Sequence, residues 1–183
     1  PFVVKQKTVG EISNPNLSGK TYKGAVSGMP NGMTGPELVK FWIGKASSAN
    51  KGVDTANGYN YPQLISKFIL GAVFYHQAVD NYLDEKMTAQ KKPNNKPYKK
   101  GKHYTGKEHS WDEAFGYFGF PAHGLKLSPA QLYDIAKRKP AGAGYADADG
   151  DGKVDLYDEM VFGPAYYAAG SDKSKKTNYA QTI

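Results

Sequence analysis

The chain has 183 residues, enough for one domain with a sizeable hydrophobic core and short of what two such cores would need. It contains no cysteine, which excludes disulfides, thiolate catalysis and cysteine-ligated zinc or iron–sulfur centres. The net charge of +7 does not point to nucleic acid: eight lysines between Lys86 and Lys107, with no Asp or Glu among them, carry the whole excess, and Arg138 is the only arginine.

Residues 1–33 read as extended or irregular, with "FVVKQKTV" a candidate strand and turns over "SNPNLSGKTY" and "GMPNGMTG". A first helix is predicted to open at Thr34, where Thr34 and Glu37 have capping-box spacing, with Leu38, Phe41 and Trp42 on its apolar face. The longest helix is predicted from about Pro62 to Asp84. Ile65, Ile69, Ala72, His76, Val79 and Leu83 form one stripe, and Leu64, Phe68, Tyr75 and Tyr82 lie beside it, so this helix should be central.

The segment 86–107, "KMTAQKKPNNKPYKKGKHYTGK", reads as a solvated, mobile connection; an anionic-surface contact interleaving Tyr98, His103 and Tyr104 is the sharper alternative. A short helix should start at Ser110, boxed by Glu113, bury Trp111, Ala114, Phe115 and Phe118, and stop at Pro121. "SPAQLYDIAKRK" repeats the logic with Ser128 as cap, Pro129 at the first helical position and Gln131 closing the box. A further helix, bent near Gly163 and Pro164, is expected over "LYDEMVFGPAYYAAG", followed by a loosely held tail from Ser171.

Between these last two helical segments, Tyr145–Met160 packs six acidic residues around two glycines. Counted from Asp147, Asp149, Asp151, Asp155 and Asp158 fall at positions 3, 5, 9 and 12, with Gly152 at 6. Calcium requires six to eight hard oxygens at about 2.3–2.6 Å, and alternate side chains of a tight loop supply them. Gly152 permits the backbone reversal, Lys153 offers its carbonyl, and Val154 should turn inward to anchor the loop. The expected calcium ligands are therefore Asp147, Asp149, Asp151, Lys153, Asp155 and Asp158. Position 12 is Asp rather than Glu, so "DADGDGKVDLYD" resembles the loop of dockerin modules more than that of intracellular sensors. A lone loop suits a structural calcium that fastens the flanking helices.

A second, weaker constellation pairs His76 with Asp80 and His109 with Glu113; two helices offering such pairs could build a transition-metal site. The competing reading makes His76 a core histidine and Glu113 a capping residue. No nucleophile elbow, H-E-x-x-H, P-loop or dinucleotide fingerprint is present, and nothing recommends an enzyme.

Three stretches, "LISKFILGAVFYHQAVDNYL", "KEHSWDEAFGYFG" and "DADGDGKVDLYDEMVFGPAYYAA", resemble a family of bacterial exported or surface lipoproteins built on a domain of unknown function. The resemblance implies a helical fold and, through the imelysin-like iron-regulated proteins found alongside that family, a link to metal acquisition. The imelysin motif G-x-H-x-x-E is not present; His109 and Glu113 stand at H-x-x-x-E. Nor does the chain contain the lipobox cysteine. It begins at Pro1 and reads as a mature or trimmed product, with no apolar run long enough to span a membrane.

The expectation is thus one mainly α domain over 1–183, irregular and rich in long loops. It comprises a short extended N-terminal segment (1–33), a helical core (34–170) with basic loop 86–107 and EF-hand-like calcium loop 147–158, and a tail (171–183). The expected function is that of a calcium-stabilised, non-catalytic binding or structural protein, exported to the cell surface, extracellular space or periplasm. It would engage a protein or cell-surface partner, or a second copy of itself, and not nucleic acid. Iron or copper acquisition, and a hydrolase without a recognisable motif, are the rival readings.

Overall fold

The computed structural model describes residues 1–12, 17–48 and 50–183; residues 13–16, within the first turn-rich stretch, lie outside them. The helices in chain order are α1 (Val9–Ile12), α2 (Gly35–Ser48), α3 (Tyr61–Ile69), α4 (Gly106–Phe118), α5 (Pro129–Ala136), α6 (Pro140–Ala146), α7 (Pro164–Lys173) and α8 (Tyr179–Thr182). A π-helix over Leu70–Glu85 continues α3 directly. The one sheet among the described residues is a hairpin in which β1 (Val53–Asp54) pairs antiparallel with β2 (Tyr59–Asn60), Val53 opposite Asn60. The protein is mainly helical and irregular, as its sequence predicts.

Local chemistry accounts for most helix starts. The Asn60 side chain accepts from the Gln63 amide and Pro62 occupies the first turn of α3. The Ser128–Gln131 box caps α5 as expected. At α2, the Thr34 amide and hydroxyl both donate to the Glu37 carboxylate, which is half of a capping box.

Helix α4 departs from expectation. It starts four residues before Ser110, with Thr105 as N-cap and Glu108 completing the box. Both Thr105–Glu108 and Ser110–Glu113 have the required spacing; folding uses the first, and Ser110 lies fully buried inside the helix. Trp111, placed on the buried face by the later start, is 49 % exposed. The helix ends at Gly119 rather than Pro121. At φ 92° Gly119 is left-handed, and a Cβ there would meet the Phe162 carbonyl oxygen at 2.3 Å.

The long helix also departs from its predicted pattern. In the π-helical part the i→i+5 pattern widens the turn, so residues aligned at a 3.6-residue period drift apart. The buried positions there are Ala72, Val73, Gln77 and Tyr82, spaced by four and five, whereas Tyr75 is mostly exposed and His76, Val79 and Leu83 are half-buried. This helix packs on α4 and α2, with Trp42 and Phe68 meeting edge to face at 5.5 Å. It is not the centre of the molecule.

The main buried cluster lies in the C-terminal part. Leu132, Ile135, Ala146, Val154, Val161 and Ala165 come from α5, α6, the acidic loop, the approach to α7 and α7 itself. The tail joins it: Ala180 of α8 is buried there, and the buried Asp172 carboxylate accepts from the Thr177 hydroxyl and from the amides of Tyr179 and Ala180 at 2.9 Å. A single carboxylate captures a segment that looks loose in sequence.

The candidate strand "FVVKQKTV" contributes an isolated bridge, Val4 to Val154, rather than a regular strand. The N-terminal segment is anchored again further on, where the Tyr22 amide donates to the Ala72 carbonyl at 2.7 Å and buried Gln77 donates to the Lys20 carbonyl.

Candidate metal centre

Asp147 ends α6 and begins the acidic loop. Its two carboxylate oxygens accept from the amides of Gly150 (2.8 Å) and Gly152 (2.9 Å), which curls the chain around the side chain. The Asp149 carboxylate accepts from the Asp151 amide, and that of Asp151 from the Lys153 amide. Gly150 and Gly152 take positive φ, 77° and 80°, where the reversal demands it. These local bonds turn three side chains to one point: one oxygen each of Asp147, Asp149 and Asp151 lies within 4.8 Å of the others. Two oxygens sharing a calcium at about 2.3–2.6 Å can be no more than about 4.6–5.2 Å apart, so the three are close enough to hold one cation.

The remaining expected ligands behave differently. Lys153 is exposed, and its amide donates to the Asp151 carboxylate. Asp155 is engaged elsewhere: its Oδ1 accepts from Gln6 Nε2 (2.8 Å) and from the Tyr157 amide (2.9 Å). Lys5 Nζ lies 3.4 Å from its Oδ2 and 3.7 Å from Oδ2 of Asp151. The Tyr157 amide, with Gln6 and Lys5 behind it, holds the Asp155 carboxyl below the usual range despite partial burial. In turn, the Asp155 carboxylate raises the Lys5 ammonium. Asp158 is exposed and does not join the gathered oxygens; with Asp149, Asp155 and Glu159 it lines a cleft of about 300 Å³.

Glu159 is the residue that the spacing argument overlooks. It is 5 % exposed, and its carboxylate accepts from the amides of Ala148 (2.7 Å), Asp149 (3.4 Å) and Asp155 (2.7 Å), spanning the loop from within. Its position directly after Asp158 was the only sequence signal. Lys5 and Gln6 had none, being about 150 residues away in the chain.

Val154 turns inward as predicted and is fully buried. The loop nevertheless has a backbone partner: the Val154 amide donates to the Val3 carbonyl (2.8 Å), and the Lys5 amide donates to the Val154 carbonyl (2.9 Å). No helix leaves the loop. Residues 156–158 form a turn, Met160 and Val161 beyond it are buried, and α7 opens only at Pro164, after Gly163 at φ 58°. The loop therefore joins α6 and the N-terminal segment to the core, rather than linking two successive helices.

The histidine pairs form but stay separate. His76 Nδ1 lies 3.0 Å from Asp80 Oδ2, and the His76 ring meets Tyr22 edge to face. His109 Nε2 lies 3.7 Å from Glu113 Oε1, and its ring packs on Tyr98 at 4.2 Å. Among the described residues, Asp147, Asp149 and Asp151 are the only group of three candidate ligands that gathers, and neither histidine pair contributes to it. Glu113 serves the α4–π-helix interface, where burial first, and then the Glu113 and Tyr117 side chains, push the Tyr82 hydroxyl up to about 12.

Residues 42–132 match a family described as a domain of unknown function, DUF4856. That span runs from within α2 through the hairpin, the long helix, the basic loop and α4 into α5, and stops before the acidic loop. No curated protein matches the chain, and no solved structure does.

Proposed function

We propose that this chain is a calcium-stabilised, non-catalytic binding or structural protein that works at the cell surface or elsewhere outside the cytoplasm. The observation that carries the reading is the convergence of the Asp147, Asp149 and Asp151 oxygens in a loop braced from inside by buried Glu159. A cation there would offset the repulsion among the three carboxylates. Because the loop also pairs with Val3–Lys5, it would hold the N-terminal segment and α6 against the core. Single loops of weak affinity, with dissociation constants of about 10⁻⁴–10⁻³ M, suit compartments where calcium is plentiful, which favours an exported protein. With the His76 and His109 pairs apart, no observation favours transition-metal acquisition as a second reading.

Calorimetric titration with calcium and thermal melts, with and without chelator, test the proposal. Calcium at a hundredfold excess over its dissociation constant should stabilise the fold by about 2.7 kcal/mol, and Asp149→Ala should abolish that gain. A melt of calcium-free protein that does not move when calcium is added would overturn it.

A further inference from the structure

A second cleft among the described residues is lined by none of the acidic loop's aspartates. It is a cleft of about 1070 Å³ between the long helix on one side and α5, α7 and the chain leading into α7 on the other. That volume is slightly above the usual range of about 300–1,000 Å³ for small-molecule sites. Its buried end is apolar, built from Ala136, Met160 and Val161, and Ile69, Leu70 and Phe74 extend the wall. Three cations, Lys67, Lys137 and Arg138, lie along its exposed edge, and no carboxylate lines it among the described residues.

The two lysines are held in place by aromatic residues rather than by acids. Lys67 Nζ donates to the Tyr167 hydroxyl and lies 4.3 Å from that ring's centroid; Lys137 Nζ donates to the Tyr166 hydroxyl and lies 4.5 Å from its ring. Each ammonium so positioned retains donors for another acceptor. Lys139 and Lys173 both sit over the ring of Tyr133, a lining residue; Lys139 is paired with Asp134 at 2.6 Å, and Lys173 adds to the positive potential.

Arg138 is the chain's only arginine, and its guanidinium has no hydrogen-bond or ion-pair partner among the described residues. It occupies the left-handed position after α5, φ 51°, which glycine adopts without strain and arginine does not. The local turn does not explain an arginine there; a guanidinium facing the cleft does.

From this arrangement we propose that the cleft binds an amphipathic organic anion, its aliphatic or aromatic body against Leu70, Phe74, Met160 and Val161 and its carboxylate or phosphate head among Lys67, Lys137 and Arg138. The apolar end supplies affinity by burial, and the unopposed cations select the head group. The inference does not depend on calcium, because none of the expected calcium ligands lines the cleft.

Fluorescence titration of the full chain with cis-parinaric acid, an eighteen-carbon carboxylate, tests it, using the methyl ester of that acid as the uncharged control. Saturable one-to-one binding of the acid is expected, with the ester at least about tenfold weaker, since it forfeits charge-assisted hydrogen bonds. Displacement of the probe by laurate or by dodecyl phosphate supports the proposal and identifies the head group; displacement by neither overturns it. Arg138→Gly relieves the backbone strain, so it should melt no lower than the parent while binding the acid several-fold more weakly. Lys137→Met combined with Arg138→Gly should bring acid and ester to equal affinity. Absence of saturable binding, equal affinity of acid and ester for the parent chain, or parental affinity in the double variant would each overturn the assignment. Repeating the titration in chelator should leave the affinity unchanged, which keeps this result separate from the calcium reading.

Discussion

The acidic loop 147–158 and the basic loop 86–105 both concentrate one sign of charge in chain without regular secondary structure, yet they are held in opposite ways. Carboxylates accept hydrogen bonds, so the acidic loop is braced by its own side chains: Asp147, Asp149, Asp151 and Glu159 each take backbone amides of the loop. Lysine ammonium groups only donate and can satisfy no amide. The basic loop instead closes through backbone bonds, Tyr98 amide to Tyr104 carbonyl (2.8 Å) and Lys102 amide to Lys99 carbonyl (3.0 Å). It is pinned by rings, with Tyr98 against Tyr104 at 5.9 Å and against His109 at 4.2 Å. Lys92 and Lys99 lie over Tyr98, and Lys102 lies over Tyr104. Lys107 caps the Met87 carbonyl (2.7 Å) at the loop's base. The connection expected to be solvated and mobile is thus a folded-back one. A loop whose side chains can answer its own amides is braced from within, and one whose side chains cannot is held by backbone bonds and ring contacts.

The strongest way to break this comparison is to remove the acidic loop's internal acceptor. Glu159→Ala strands three amides and should cost about 2–4 kcal/mol, read as a lowered melting temperature. The neighbouring change Asp158→Ala, at an exposed position, should stay within about 0.5 kcal/mol. Equal melts for the two variants would show that the internal bracing is not what stabilises the loop.

Asp172 extends the same principle to the tail. Burial by itself would raise its carboxyl, but the Thr177 hydroxyl and the Ala180 and Tyr179 amides outweigh that and hold it below the usual carboxylate value. A depressed folded pKa means that the contribution is fully present above the unfolded value of about 3.9 and is lost as pH falls through the folded one. Melting temperature should therefore fall as the medium is acidified below about pH 4, with the tail becoming sensitive to proteolysis. In Asp172→Asn, which should cost about 1–3 kcal/mol near neutral pH, that part of the acid dependence should disappear. An unaltered acid limb in the variant would assign it to other carboxylates.

On the basic side, Tyr98→Ala removes the ring that meets Tyr104, His109 and two lysines, and should cost about 0.5–1.5 kcal/mol. Lysine-to-glutamine changes at Lys99 and Lys102, both exposed, should leave the melt almost unmoved. A larger loss from the lysines than from the tyrosine would reverse the account of what pins this loop.

A last pair of variants separates the two starts available to α4. Thr105→Ala removes the cap in use and should cost about 0.5–2 kcal/mol. Ser110→Ala should be neutral or slightly stabilising, because the Ser110 hydroxyl is buried without a hydrogen-bond partner among the described residues. A clear loss from Ser110→Ala would restore the later start.

Features set by neighbours three or four residues apart were legible in the sequence by itself. The Ser128–Gln131 box, Pro62 in the first turn of α3, the reversal at Gly152 and the inward turn of Val154 all follow from local backbone geometry, which spacing encodes directly. The mainly helical class follows in the same way. Where two local solutions compete, spacing cannot choose: Thr105–Glu108 and Ser110–Glu113 have equal claims until packing buries Ser110. Periodicity misplaced the buried face of the long helix because it presumes 3.6 residues per turn, and residues 70–85 wind more widely. The rest depends on distant parts of the chain meeting. Lys5 and Gln6 reach Asp155 and Leu156, Asp172 captures α8, and three cations gather over an apolar cleft only because the long helix packs near α5 and α7. Such meetings are set by the burial of apolar surface, which has no fixed spacing in sequence, so the tertiary structure alone decided them.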